Sequence, residues 1–290
     1  MTLWAFLFSV LFSPFTYAAT PMSVQATPTG YFEGPVATAL GGTGRAAVSV
    51  TEGARLNPAT LAHIDGYNIG FIYAAESLGE RAGANKYHLV VSDSGEEAMF
   101  PGALSYSKIS MFQQGRDVDL QELSASLGWS FSEYLSWGLT GKYLIQEVKG
   151  GAKANDFNGS TGFLFTPRGD LGFAITFDDF LETREIPANP TTGLGANYIF
   201  GRTLMIRGDV AHPQKSNPER RLISMLGIET MALGNDFKLR FGHRWDDFMS
   251  RRMAAIGFGW QGPKLGVNYA YEKNLQTEDF RHLIDMLLRF

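Results

Sequence analysis

The sequence predicts an all-β protein, a transmembrane antiparallel β-barrel of about fourteen strands. Three observations carry this. From position 66 onward, apolar and polar residues alternate in segments of about ten residues, the length of a strand that crosses a bilayer at a tilt. The connections alternate too, short after even-numbered segments and mostly longer after odd-numbered ones. The closing stretch Phe280–Phe290 places Ile284, Met286, Leu288 and Phe290 on one face and Arg281, Asp285 and Arg289 on the other.

The chain has 290 residues and a net charge of -4, with 33 glycines and no cysteine. Disulfides and cysteine metal sites are therefore impossible. No basic run or zinc spacing supports nucleic-acid binding. The apolar run Leu3–Phe12 is too short to span a bilayer, and Thr16-Tyr17-Ala18 suits a cleavage site. Residues 1–18 are expected to be a signal peptide, although no Lys or Arg precedes the apolar run. No later stretch is long and apolar enough for a transmembrane helix, so any crossing is made by strands.

Residues 19–65 show little alternation and are rich in Gly, Ala, Thr and Pro. Within them, Gly42-Thr43-Gly44-Arg45-Ala46-Ala47 matches a dinucleotide fingerprint, with Asp65 at a tolerable distance. That motif needs a strand before it and a helix after it. Val48-Ser49-Val50-Thr51 is a poor helix start, and no strand–helix alternation follows, so a nucleotide site is rejected.

The strand segments then run 66–74, 85–92, 98–109, 118–131, 134–148, 157–166, 170–178, 191–200, 203–210, 221–233, 236–245, 252–260, 264–271 and 280–290. Leu123, Ala125, Leu127, Trp129 and Phe131 alternate with serines and Gly128. Ala254, Ile256, Phe258 and Trp260 alternate with Ala255, Gly257 and Gly259. Short connections include Ser132-Glu133, Gly201-Arg202 and Gly234-Asn235. Long ones include Met111–Asp117, Asp179–Pro190, Ala211–Arg220 and Glu272–Asp279. Trp129, Phe131, Trp137, Phe165, Phe200, Trp260 and Phe290 gather near the short turns, as an interfacial aromatic girdle would. The inward set includes Lys142, Arg207, Asp209, Glu229, Lys238, Arg240 and Arg244. A charge network is the expected role, with Glu229 and Arg240 on neighbouring strands able to pair. Pro101-Gly102 interrupts the third segment, or else marks its start, since proline donates nothing to a ladder.

Two stretches resemble known membrane barrels. Gly41–Ala47, followed by Asn57-Pro58-Ala59-Thr60-Leu61-Ala62, resembles the N-terminal hatch of the FadL-type outer-membrane family, which includes hydrophobic-compound transporters and PorV-like secretion barrels. Thr60 stands where that family usually has Gly, and Glu52 stands alone where it often has two acids. The C-terminus, with Leu288 and Phe290, resembles the signal read by the barrel-assembly machinery of bacterial outer membranes. The resemblance implies a hatch at 19–65 plugging a barrel at 66–290. A barrel of this size cannot be filled by its own inward side chains, which agrees. It also implies an inward kink in the third strand at Pro101-Gly102, with Asn57, Pro58 and Ala59 packed near it.

Function follows as expectation. The first reading is passive uptake of hydrophobic molecules such as long-chain fatty acids across the outer membrane, with lateral release at the kink. The alternative is a PorV-like scaffold for a secretion or surface complex. No cofactor, metal or catalytic constellation is expected. His63, His88, His212, His243 and His282 are scattered, and no Gly-x-Ser-x-Gly elbow occurs.

Overall fold

A computed structural model of the chain describes residues 33–77, 83–95, 100–113, 116–151, 153–181, 183, 185–186, 188–201, 203–214, 222–232 and 236–290. The expected signal peptide, hatch residues 19–32, Arg202 and the turn Gly234-Asn235 lie outside these residues. Fourteen strands close into one antiparallel barrel. They are β1 (Gly66–Ser77), β2 (Gly83–Ser94), β3 (Gly102–Gln113), β4 (Arg116–Ser130), β5 (Leu135–Val148), β6 (Lys153–Arg168) and β7 (Leu171–Asp178). They continue with β8 (Thr191–Phe200), β9 (Leu204–Pro213), β10 (Ile223–Ala232), β11 (Phe237–Asp246), β12 (Arg251–Gln261), β13 (Leu265–Asn274) and β14 (Phe280–Arg289). Closure comes from β1 pairing with β14, Asn68 opposite Arg289 through Ser77 opposite Phe280. Phe290 adds a backbone bond to Tyr67 (2.9 Å) and sets its ring against that tyrosine.

Alternation assigns the two faces. Leu123, Leu127, Trp129, Phe241, Phe258, Ile284 and Met286 are exposed on the outside, whereas Glu122, Ser124, Arg240, Glu272 and Asp285 are buried inside. This apolar outer surface suits lipid, and the polar interior is the converse of a soluble core.

Two expectations change. The connection placed at Met111–Asp117 shrinks to residues 114–115, because β3 and β4 stay paired up to Gln113 opposite Arg116. Their extra length has its own support: Lys108 and Asp119 pair outside at 2.9 Å, while Met111 packs inward beside Val118 and Val148. The contrast in connection length consequently rests on residues 179–190 and 214–222. Secondly, Pro101 precedes β3 rather than interrupting it. The ladders on both sides of β3 run from Gly102 without a register break. The Pro101 carbonyl accepts the Gly128 amide at 2.8 Å, which suits a residue that can accept but not donate.

Before β1 come α1 (Pro35–Ala39), α2 (Gly53–Leu56) and a 3-10 turn, η1 (Pro58–His63). Helix α1 starts with Pro at its first turn, where no amide is missed, and Glu52 takes the Val36 and Ala37 amides at 2.9 Å. Gly41, Gly42 and Gly44 then adopt positive φ, so the chain turns back instead of continuing a helix. Asn57 caps η1 by accepting the Ala59 amide. Helix α1 lies against β11–β14 and η1 against β4–β6. Strands β5 and β12 stand opposite each other in the ring, so residues 33–64 cross the lumen from wall to wall.

Candidate functional site

Among the described residues, most of the buried charge lies in the lumen. Inward glycines admit the crossing segment. A Cβ on Gly242 would lie 2.0 Å from the Gly41 nitrogen, and one on Gly138 would lie 2.2 Å from the Pro58 carbonyl carbon. At both positions the obstruction is backbone, which cannot swing away.

Charge fastens the segment to the walls. Glu33 binds Arg244 of β11 and Arg281 of β14, the latter at 2.8 Å; Glu272 of β13 also reaches Arg281 (2.5 Å) and Arg244 (3.4 Å). Two anions and two cations make this buried cluster neutral. The two guanidinium groups hold Glu33 down at about 2, against the burial that would raise it. Asp209 of β9 accepts the Gly44 and Arg45 amides (both 3.0 Å) and pairs with the Arg45 side chain (3.4 Å). Arg55 pairs with Glu122 of β4 at 2.5 Å and donates to Ser107 of β3. Thr51 donates to Asp285, and a relay continues through Asn268 and Arg240 to Glu229. Burial, then the nearby Asp285 charge, raises Glu52 to about 8, outweighing its two amide bonds. Burial lowers His63, whose Nε2 sits 2.6 Å from the Ser136 hydroxyl.

The far end of the lumen, away from the chain's C-terminus, is apolar on one side. Ile72, Ile109, Leu120 and Leu144 project inward from β1, β3, β4 and β5, and Ile186 packs onto them from the 179–190 connection. That connection is anchored: Asp156 accepts the Glu185 and Ile186 amides (2.8 and 3.1 Å), and Asp179 pairs with Lys142 at 2.9 Å. On the outer face of β2–β5 an open groove of about 460 Å³ is lined by the outward-facing Asn85, Ser110, Phe112, Asp119 and Glu147, with the inward-packed Met111 at its edge.

The expected site residues fall in different places. Glu229 and Arg240 are direct cross-strand partners at 2.6 Å, and Lys238 reaches Glu229 at 3.7 Å. Asp209 and Arg244 hold the crossing segment, whereas Lys142 holds the 179–190 connection. Arg207 is buried with its Nε against the Met205 sulfur, and no carboxylate among the described residues lies within 4.0 Å of it. The close contacts of Asn57, Pro58 and Ala59 are with β5–β7. They press on Gly162 of β6 and Gly138 of β5, with the Asn57 amide donating to the Arg45 and Phe163 carbonyls. Leu61 shares an apolar cluster with Ala103 of β3. Sequence reasoning missed Glu33, Arg45, Arg55, Glu122, Asp179 and Glu272. Alternation placed Arg281 and Asp285 on the inner face of the last strand, yet nothing local to either revealed its partner.

No family model and no curated protein sequence matches the chain. Solved structures do. The CymD monoaromatic hydrocarbon channel superposes with a TM-score of 0.69 at 13% identity, over 89% of this chain and 97% of that one. The toluene transporter TbuX of Ralstonia pickettii gives 0.68 at 12% identity, over 89% and 98%. A FadL homologue of Pseudomonas aeruginosa gives 0.64 at 11%, over 89% and 98%. At such identities the likeness concerns architecture, and the architecture is that of the FadL-type barrels.

Proposed function

We propose that the protein is an outer-membrane channel for passive uptake of uncharged hydrophobic small molecules. The observation that carries this is the closed barrel whose inner wall bears a buried apolar cluster of Ile72, Ile109, Leu120, Leu144 and Ile186, with Met111 packed against it toward the far end. Its neighbouring charges are already neutralised in pairs, Lys142 with Asp179 and Arg55 with Glu122. A ligand carboxylate would have to break one of these pairs. A long-chain fatty acid is therefore a poorer cargo than a neutral hydrocarbon, and the solved channels of the same architecture that carry toluene and monoaromatic hydrocarbons support that reading. For release, the continuous ladders above Gly102 favour a side exit below it, at Phe100-Pro101. There Leu61, Ile64, Val90 and Ala103 form an apolar backing. Residues 19–65 serve as the plug in this scheme.

The absence of native cysteine permits a clean test. Met111→Cys and Phe112→Cys point to opposite faces of β3 and are each labelled with a bulky thiol reagent in proteoliposomes. Labelling at 111 is expected to cut toluene entry at least tenfold, and labelling at 112 to leave it unchanged. Toluene entry indifferent to the label at 111 rejects the route past the inner apolar cluster, and oleate entering as readily as toluene rejects the neutral cargo. An anchoring role in a protein complex is the second reading, favoured by the clamping of the segment to both walls. A stoichiometric protein partner with no solute entry would establish it instead.

A further inference from the structure

Outside the barrel, the two walls treat their charges differently at the far end. On β3–β5 the outward lysines are neutralised: Lys108 pairs with Asp119 at 2.9 Å, and Lys149 with Asp117 at 3.1 Å. On β11–β14 no outward-facing strand residue is acidic. The outward cations there, Arg252 and Lys273, have no carboxylate within 4.0 Å among the described residues.

The register gathers these cations around one small residue. Ala254 of β12 lies opposite His243 on one side and Lys273 on the other. Arg252 stands two residues above it on the same strand, and Ile256, exposed and apolar, two residues below. Diagonal neighbours across a ladder are about 7 Å apart, within the reach of two long flexible side chains aimed at one group. Trp245, opposite Arg252, and Phe280, opposite Lys273, stand at the corners. The Trp245 ring packs on His243 at 4.1 Å. Below this level the outer surface of β11 and β12 is apolar, through Phe241, Ile256 and Phe258, and on β14 His282 there is bonded to the Tyr269 hydroxyl at 2.7 Å. The unpaired cations thus sit at the upper edge of the lipid-facing band, where long basic side chains extend toward headgroups.

We propose that the outer surface around Ala254 is a binding site for the phosphate of an anionic lipid headgroup in the facing leaflet. Arg252 and Lys273 hold the phosphate, Ala254 leaves room for it, and the acyl chains lie along Ile256 and Phe258. The occupant is a lipid rather than a free phosphate because the cations stand over a continuous apolar strip that only a tailed ligand covers. The inference needs the barrel in a bilayer and does not depend on what the lumen carries.

Native mass spectrometry of the full chain in a zwitterionic detergent tests it, with phosphatidylglycerol, a bisphosphorylated glycolipid, phosphatidylcholine and inorganic phosphate as probes. The two anionic lipids are expected to bind at one site and phosphatidylcholine not to. Each cation near an anionic headgroup contributes roughly fivefold, so Arg252→Ala with Lys273→Ala is expected to lower lipid affinity by about 25-fold. Ala254→Asp should abolish binding, and Lys108→Ala with Lys149→Ala should leave it unchanged. Equal retention of anionic lipid by the Arg252/Lys273 double variant, or equal binding of phosphatidylcholine, overturns the proposal. Inorganic phosphate displacing the lipid at millimolar concentration overturns the lipid as occupant and leaves a plain anion site. Folding of every variant is read independently from the heat-dependent shift of the barrel band on a gel.

Discussion

Glu33→Gln tests the clamp between the crossing segment and the wall. The wild-type cluster holds Glu33 and Glu272 against Arg244 and Arg281, all buried. The substitution keeps the shape and removes one negative charge, leaving one uncompensated positive charge in the lumen. Breaking a buried pair in this way costs about 3–5 kcal/mol. Proton linkage gives a compatible figure. Glu33 falls from its ordinary 4.5 to about 2 in the folded protein, and that shift corresponds to roughly 3 kcal/mol. Because the folded value lies below the unfolded one, this contribution is complete above pH about 4.5 and is lost as pH falls toward 2. The assay is guanidinium unfolding of the barrel in micelles, read by tryptophan fluorescence, together with trypsin cleavage after Arg45 and Arg55. The variant is expected to lose about 3 kcal/mol, or to open those two sites while the barrel band persists. Adding Arg244→Gln should restore much of the loss by rebalancing the charge. A loss under about 0.5 kcal/mol with unchanged trypsin resistance would refute the clamp, since the cluster would then be solvated and weak.

Two further outcomes follow from the geometry. Gly242→Ala puts a Cβ into the Gly41 backbone, whereas Gly141→Ala meets nothing within 4 Å. The first should cost about 1–3 kcal/mol or more and expose the crossing segment to protease, and the second should do neither; equal behaviour of the two in a denaturation series would contradict the packing. Glu52 rises to about 8 when folded, so its contribution is full below pH about 4.5 and fades as pH climbs through 8. Glu52→Gln should flatten that part of the pH–stability curve, and a variant curve that keeps the wild-type slope there would assign the effect to another group.

The strands were legible because one physical rule governs each of them. An apolar outer face and a polar lumen impose a period of two, and Leu123–Phe131 or Ala254–Trp260 display it plainly. Where both faces are apolar the rule goes silent. Within Tyr143-Leu144-Ile145, only the parity shared with Lys142 puts Leu144 inside, and nothing there shows that Ile186 packs onto it. The ends of β3 and β4 differ from the sequence reading for a related reason: toward the far end their outer face turns charged, and charge resembles a loop. The inward cations were identifiable by parity, but their partners were not. Arg281 meets a glutamate 248 positions earlier, and no local pattern encodes so remote a neighbour. Asn57 illustrates the same limit. Its capping role follows from Asn-Pro, whereas its contact with β6 rather than β3 depends on how the segment crosses the lumen.

The seam between β1 and β14 has a consequence for biogenesis. Residues 33–64 touch both halves of the ring and fit so closely against Gly138 and Gly242 that they leave no clearance for later threading. The last strand carries Arg281, one of the residues that grips the segment, and also completes the enclosure. A chain arrested before that seam closes should leave Arg45 and Arg55 open to protease, and a mature one should protect them. The molecule is in that sense a vessel assembled around its contents, and the final strand both seals the wall and locks what lies within.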